Sequence, residues 1–162
     1  MEGRLLANEL LFDLEKLDLT AVRLSAEEVS KVLPQTGHMR MIDHVVWMNT
    51  DSATGLGMRK IRHDEFWVPH HIPGRPLFPG VLMIEAAAQL CSIVQTISAN
   101  LHGFLGFTHC DHTVFRGQVV PGDTLYLLAK QLERNRRRFI SVAQGVVNGK
   151  LVFETQITGM TM

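Results

Sequence analysis

Residues 80–101 read "GVLMIEAAAQLCSIVQTISANL", and no other stretch restricts the fold as much. The run is too long for a strand, which spans about 3–10 residues in globular proteins. Helical spacing puts Met83, Ala87, Leu90, Val94 and Ile97 on one face. Val81, Ile84, Ala88 and Cys91 fall close to other faces, so the cylinder is apolar nearly all round. A helix of that kind has to be wrapped by the rest of the chain. Glu85, Gln89, Ser92 and Thr96 are the exception, a narrow polar stripe. Such a stripe must meet a polar cavity, a partner chain or a wet interface, because an unpartnered buried carboxylate is costly.

The segments able to wrap this helix read as strands. "MIDHVVWM" starts the first, and "TGLGMRKI" suggests a second, its alternation blurred by two glycines. Four more are expected after the helix, over roughly 104–116, 123–134, 138–147 and 151–160, divided by "VPGD", "ERNRRR" and "VNGK". Asn148-Gly149 between apolar alternations is a strong hairpin signal. Residues 63–79, rich in histidine and proline, form a loop leading into the helix. Upstream, Ser25 and Glu28 have capping-box spacing and Pro34 marks an exit, so "SAEEVSKVLP" predicts a small helix. Leu6, Leu10, Leu14 and Leu17 predict a short amphipathic helix over 5–17. A mostly antiparallel sheet with one long buried helix is an α+β domain. The expected division is an N-terminal extension, 1–24, and one domain, 25–162.

Bulk properties exclude several classes. A chain of 162 residues supports one domain with a substantial core. Hydrophobic content of 46% with 20% charge is ordinary for a soluble protein. Lys+Arg and Asp+Glu both number 16, so no charge excess draws nucleic acid or an anionic membrane. The acidic, leucine-rich start lacks the marks of a signal peptide. Glu85, Gln89 and Gln95 punctuate the one candidate span. Cys91 and Cys110 form no disulfide framework, which suits a reducing cytoplasm.

One short segment gathers the groups for chemistry beside a carbonyl. His71 stands on the loop feeding the helix, a base at neutral pH. Glu85 follows little more than one turn after the helix start at Pro79-Gly80, where free N–H groups and the positive end of the helix dipole collect. Gly80 has no side chain to keep a ligand oxygen from its N–H. Abstraction of an α-proton builds charge on the carbonyl oxygen, and a donor there lowers the barrier. Two other clusters invite attention. "HCDH" (109–112) offers metal-ligand types, yet on a strand His109 and Asp111 point away from Cys110 and His112. The arginines of "RNRRR" (134–138) fall in a hairpin turn, where solvated charge is the usual role.

The same segment resembles the signature of the hotdog-fold β-hydroxyacyl-[acyl-carrier-protein] dehydratases of the FabZ type. It does so at His71-Ile72-Pro73-Gly74, at Pro76-Leu77-Phe78-Pro79-Gly80 and at Glu85-Ala86-Ala87-Ala88-Gln89. "LPQTGHMRMIDHV" (33–45), "FRGQVVPGDTL" (115–125) and "NGKLVFE" (148–154) extend the likeness over about 25–160. The resemblance implies a six-stranded antiparallel sheet wrapped around the central helix, with no metal or organic cofactor. It makes His71 and Glu85 catalytic, puts the Gly80 N–H against a thioester carbonyl, and gives Gln89 an orienting role. Phe78, Leu82 and Met83 would line an acyl tunnel. The implied partners are an acyl carrier protein, docking near Arg75 or the arginine turn, and a second copy of the chain. In that homodimer the His of one subunit faces the Glu of the other, and a trimer of dimers is common in the family.

The sequence departs from the family pattern at His70, where Gly is usual, and at Gln35, His38 and His44. Phe78 replaces a common Met. Three other readings stand beside the dehydratase: a hotdog thioesterase, an isomerising FabA-type enzyme, which carries Asp where this chain has Glu85, and a non-catalytic acyl-binding subunit.

Overall fold

A computed structural model describes residues 9–162. Six strands form one antiparallel sheet in the order β1-β2-β4-β5-β6-β3. They are β1 (His44–Asn49), β2 (Thr54–Lys60), β3 (Leu105–Phe115), β4 (Thr124–Arg134), β5 (Arg138–Val147) and β6 (Lys150–Thr161). The sheet curls around α2 (Gly80–Ser98), the long helix expected from the sequence. Asn148 and Gly149 join β5 to β6 with φ of 50° and 73°, the all-positive turn that suits a two-residue hairpin. Upstream lies α1 (Ala26–Val32), where Ser25 and Glu28 close the reciprocal capping box.

Period-two alternation assigns the two faces of the sheet. In β4, Leu125, Leu127 and Ala129 join the core against α2, while Leu128 belongs to a separate cluster on the outer face. The glycines that blur β2 stand where the helix presses closest. A Cβ on Gly55 would come within 2.6 Å of Val94 on α2. By mean hydropathy α2 is apolar enough to cross a bilayer, but 56% of that window is buried within the fold, so it is a core helix. Burial pushes the Cys91 thiol on its inner side up to about 12 from an ordinary 9.0, against a smaller opposing pull from Ser141.

The N-terminal segment corrects one expectation. Leu6 lies outside the described residues, and from Glu9 onward no amphipathic α-helix forms. Asp13 caps a single 3₁₀ turn, Leu14–Lys16. Around it Leu10, Leu11, Phe12, Leu14, Leu17 and Leu19 pack on Val46, Leu56, Leu128 and Val146 of the outer sheet face. Gln144 replaces a strand partner: its Oε1 accepts from Leu11 N at 2.8 Å and its Nε2 donates to Glu9 O at 2.9 Å. A short isolated helix is marginal, and lying flat partly buries all of these leucines instead of one stripe.

Candidate active site

Pro79 caps α2 without a side-chain hydrogen bond, leaving the first N–H groups of the helix, that of Gly80 included, open to an outside acceptor. A Cβ on Gly80 would lie 2.8 Å from Cζ of Phe115, so the absence of a side chain lets that aromatic ring cover the helix start. Phe115 is half-exposed and stacks on Phe153 with ring centroids 5.7 Å apart.

Five residues along, Glu85 is partly buried and directly held. Its Oε1 accepts a hydrogen bond from Gln89 Nε2 at 2.7 Å. Gln89 is 1% exposed, and both ends of its amide are fixed. Nε2 also donates to Met39 O at 2.7 Å, and Oε1 accepts from Met41 N at 2.9 Å. This pattern settles which end of the amide carries the protons. Among the described residues no further hydrogen bond reaches Glu85, so its second oxygen stays free to act.

His71 occupies an exposed position on the loop before the helix. Its backbone N–H donates to Trp67 O at 2.8 Å, as does that of His70 at 3.1 Å. The structure therefore joins Glu85 to Gln89 and places Gly80 just before them, but no hydrogen bond within one chain links His71 to Glu85. Phe78 and Met83 are packed inside the protomer, 1% and 3% exposed, and Leu82 is partly buried beside them. In a single chain they meet core neighbours.

Of the remaining clusters, "HCDH" does not follow the strict alternation assumed for it. β3 bulges between Asp111 and Val114, with His112 at φ 51°. Arg134, Arg136, Arg137 and Arg138 line a small cleft with Gln95 at the other end of α2. That cleft is far along the helix from Glu85. Sequence reasoning missed Arg59, Glu65 and Trp67, which hold the His71 loop from below. The signal was an arginine at an inward register of β2, two residues after Gly57.

The sequence model of the FabA-like domain matches residues 33–156. The chain belongs to the FabA-like family. It is 30% identical over 140 residues to a 3-hydroxyacyl-[acyl-carrier-protein] dehydratase, FabZ, from Ehrlichia chaffeensis, covering 86% of this chain and 96% of the relative. Among solved structures, the dehydratase heterocomplex ApeI:P from Xenorhabdus doucetiae superposes with a TM-score of 0.70 at 13% identity, over 83% of this chain and 90% of that one. A hypothetical thioesterase with coenzyme A from Streptococcus pneumoniae gives 0.59 at 12% identity, over 74% and 84%. These two likenesses establish the hotdog fold. Activity has to be argued from the FabA-like chain itself.

Proposed function

We propose that this chain is a hydro-lyase that removes water from a (3R)-hydroxyacyl thioester, giving the trans-2-enoyl thioester. The observation that carries the reading is the Glu85–Gln89 pair: a carboxylate kept at the helix start on an apolar helix, tied down by one oxygen and open at the other. Similarity to the FabZ relative supplies the reaction class.

The Gly80 N–H receives the thioester oxygen and stabilises the charge that develops there, a contribution of about 10²–10³-fold. His71 takes the α-proton. Electrons of that C–H bond form the new C=C bond as the C–O bond breaks at the β-carbon. Glu85 delivers a proton to the departing hydroxyl, directly or through water, and water leaves. Proton transfer from the imidazolium back to the carboxylate restores both groups. General acid–base help of this kind contributes about 10²–10⁴-fold. Among the described residues the ring of His71 has no partner carboxylate, which supports a homodimer in which it serves the Glu85 of the other subunit. β3 suits that assembly: it is an edge strand, with Phe107, Val114 and Phe115 exposed. The proposed substrate carrier is an acyl carrier protein, and the unpaired cysteines agree with a reducing cytoplasm.

The test is hydration of a crotonyl thioester, followed by loss of enoyl absorbance while free thiol is recorded in parallel. Expected are hydration without thiol release and a His71→Ala variant slower by about 10²–10⁴-fold. Thiol release would move the assignment to a thioesterase. Silence in both channels, repeated with longer chains on a carrier protein, would refute the enzyme reading.

A further inference from the structure

Arg59 is a charged residue at an inward position of β2, after Gly55 and Gly57, and its side chain is only 5% exposed. It forms an ion pair with Glu65, whose side chain is 8% exposed. Stability is a poor reason for such a pair. Desolvation of two ions offsets their attraction, and apolar replacements of similar size are often neutral or stabilising. What distinguishes this pair is where its remaining contacts lead.

On one side, Arg59 Nη1 donates to Arg40 O at 2.9 Å. Arg40 stands between Met39 and Met41, the two residues whose backbones clamp Gln89 and, through it, Glu85. On the other side, Glu65 Oε2 accepts from Trp67 Nε1 at 2.9 Å and Oε1 accepts from Arg62 N at 3.1 Å. Trp67 O in turn holds the N–H groups of His70 and His71. The guanidinium also lies over the Phe78 ring, 5.5 Å from its centroid, and Phe78 precedes Gly80 by two residues. One buried cation thus touches the supports of the His71 loop, the Glu85 clamp and the helix start.

We infer that the Arg59–Glu65 pair is the positioning device that ties the His71 loop to the N-terminal half of its own α2, so that His71 and Glu85 are each held in place for the sites they serve. Neither residue contacts substrate; both act through the backbone they hold. The kinetic consequence rests on the dehydratase reading, whereas the ordering of the loop does not.

The decisive variant is Arg59→Met with Glu65→Leu, which replaces the pair by apolar groups and keeps the site filled. Arg40 O and Trp67 Nε1 lose their partners, so its thermal midpoint should fall by several degrees while the protein stays folded at the assay temperature. Its kcat should fall about 10²-fold with KM little changed, the effect of reacting groups displaced by about 1 Å. Amide exchange at His70 and His71 should quicken at least tenfold more than that of Leu90 in the middle of α2. Retained kcat with retained loop protection would overturn the inference, and so would equal acceleration in loop and core, which is global loosening. Should the double variant not fold, Arg59→Lys preserves the charge but lacks the fork needed to hold both Arg40 O and Glu65. The same loop exchange and kcat losses are expected there, and unaltered values would refute the role. If the unaltered protein turns over no hydroxyacyl thioester, the dehydratase reading fails alone, and the exchange measurement still decides the positioning claim.

Discussion

Gln89 carries three hydrogen bonds, one of them to Glu85. Replacing it by leucine keeps the volume but orphans Met41 N in the interior and the partly buried Met39 O. At about 1–3 kcal/mol for each buried group left unpaired, Gln89→Leu should lower unfolding stability by about 2–4 kcal/mol, read from a urea titration. Freed of its donor, the Glu85 carboxylate should also lose activity beyond that stability effect, measured well below the melting transition. An unchanged kcat in the folded variant would show that Gln89 only supports the fold. Much at this scale was legible in the sequence. Glu85 stands out because its neighbours on the helix are apolar, and Gln89 follows one turn later. The links from Gln89 to Met39 and Met41 were not legible, since they join residues 50 and 48 positions apart. Arg59 and Glu65 escaped for a related reason. A charge inside a blurred strand reads as an edge or a turn until the register of that strand is known.

The elements themselves were read with few errors because their periodicities are strong. The helix is buried by a sheet whose strands fall close to their expected limits, and the capping box at Ser25 appears as spelled. The exception is instructive. Leucines at helical spacing near the N-terminus became a flat strap, because the outer face of the sheet carries Val46, Leu56, Leu128 and Val146 and needs covering. A local pattern cannot reveal that demand, which is created by strands from about 30 to about 130 residues later. Its consequence can be measured. Phe12 packs against Trp47 with ring centroids 5.3 Å apart and planes tilted by 53°, and is partly buried. Phe12→Ala should cost about 1–2 kcal/mol in a urea titration, less than the roughly 3–5 kcal/mol of a fully buried Phe. Deleting residues 1–20 should go further, lowering the thermal midpoint and producing larger species in light scattering through the exposed apolar face. A truncated chain with unaltered midpoint and mass would show that the strap adds nothing to the packing of the sheet.

At the scale of the whole molecule the single chain looks incomplete. The polar stripe of α2 is partly exposed at Glu85, Ser92 and Thr96, the His71 ring is exposed, and the edge strand β3 presents aromatic and aliphatic side chains to solvent. On the proposed function, all three features would follow from a second copy that pairs along β3 and exchanges His71 and Glu85 across the two-fold axis. In a symmetric dimer each site would then draw His71 from one chain and Glu85 from the other. Two inactive variants make this decidable. His71→Ala homodimers lack the base at both sites, and Glu85→Gln homodimers lack the acid at both. In a mixed dimer one site receives both lesions and the other receives neither. Random pairing of equal amounts makes about half of the dimers mixed, each with one of its two sites intact, so co-refolded variants should recover about a quarter of the original activity. If instead both groups serve the same chain, every site carries one lesion and the mixture stays as inactive as its parts. Recovered turnover would fix the path of the proton as intersubunit, and it would explain why the loop bearing His71 needs a rigid tether to its own helix, since each chain would then meet its partner's substrate through that helix.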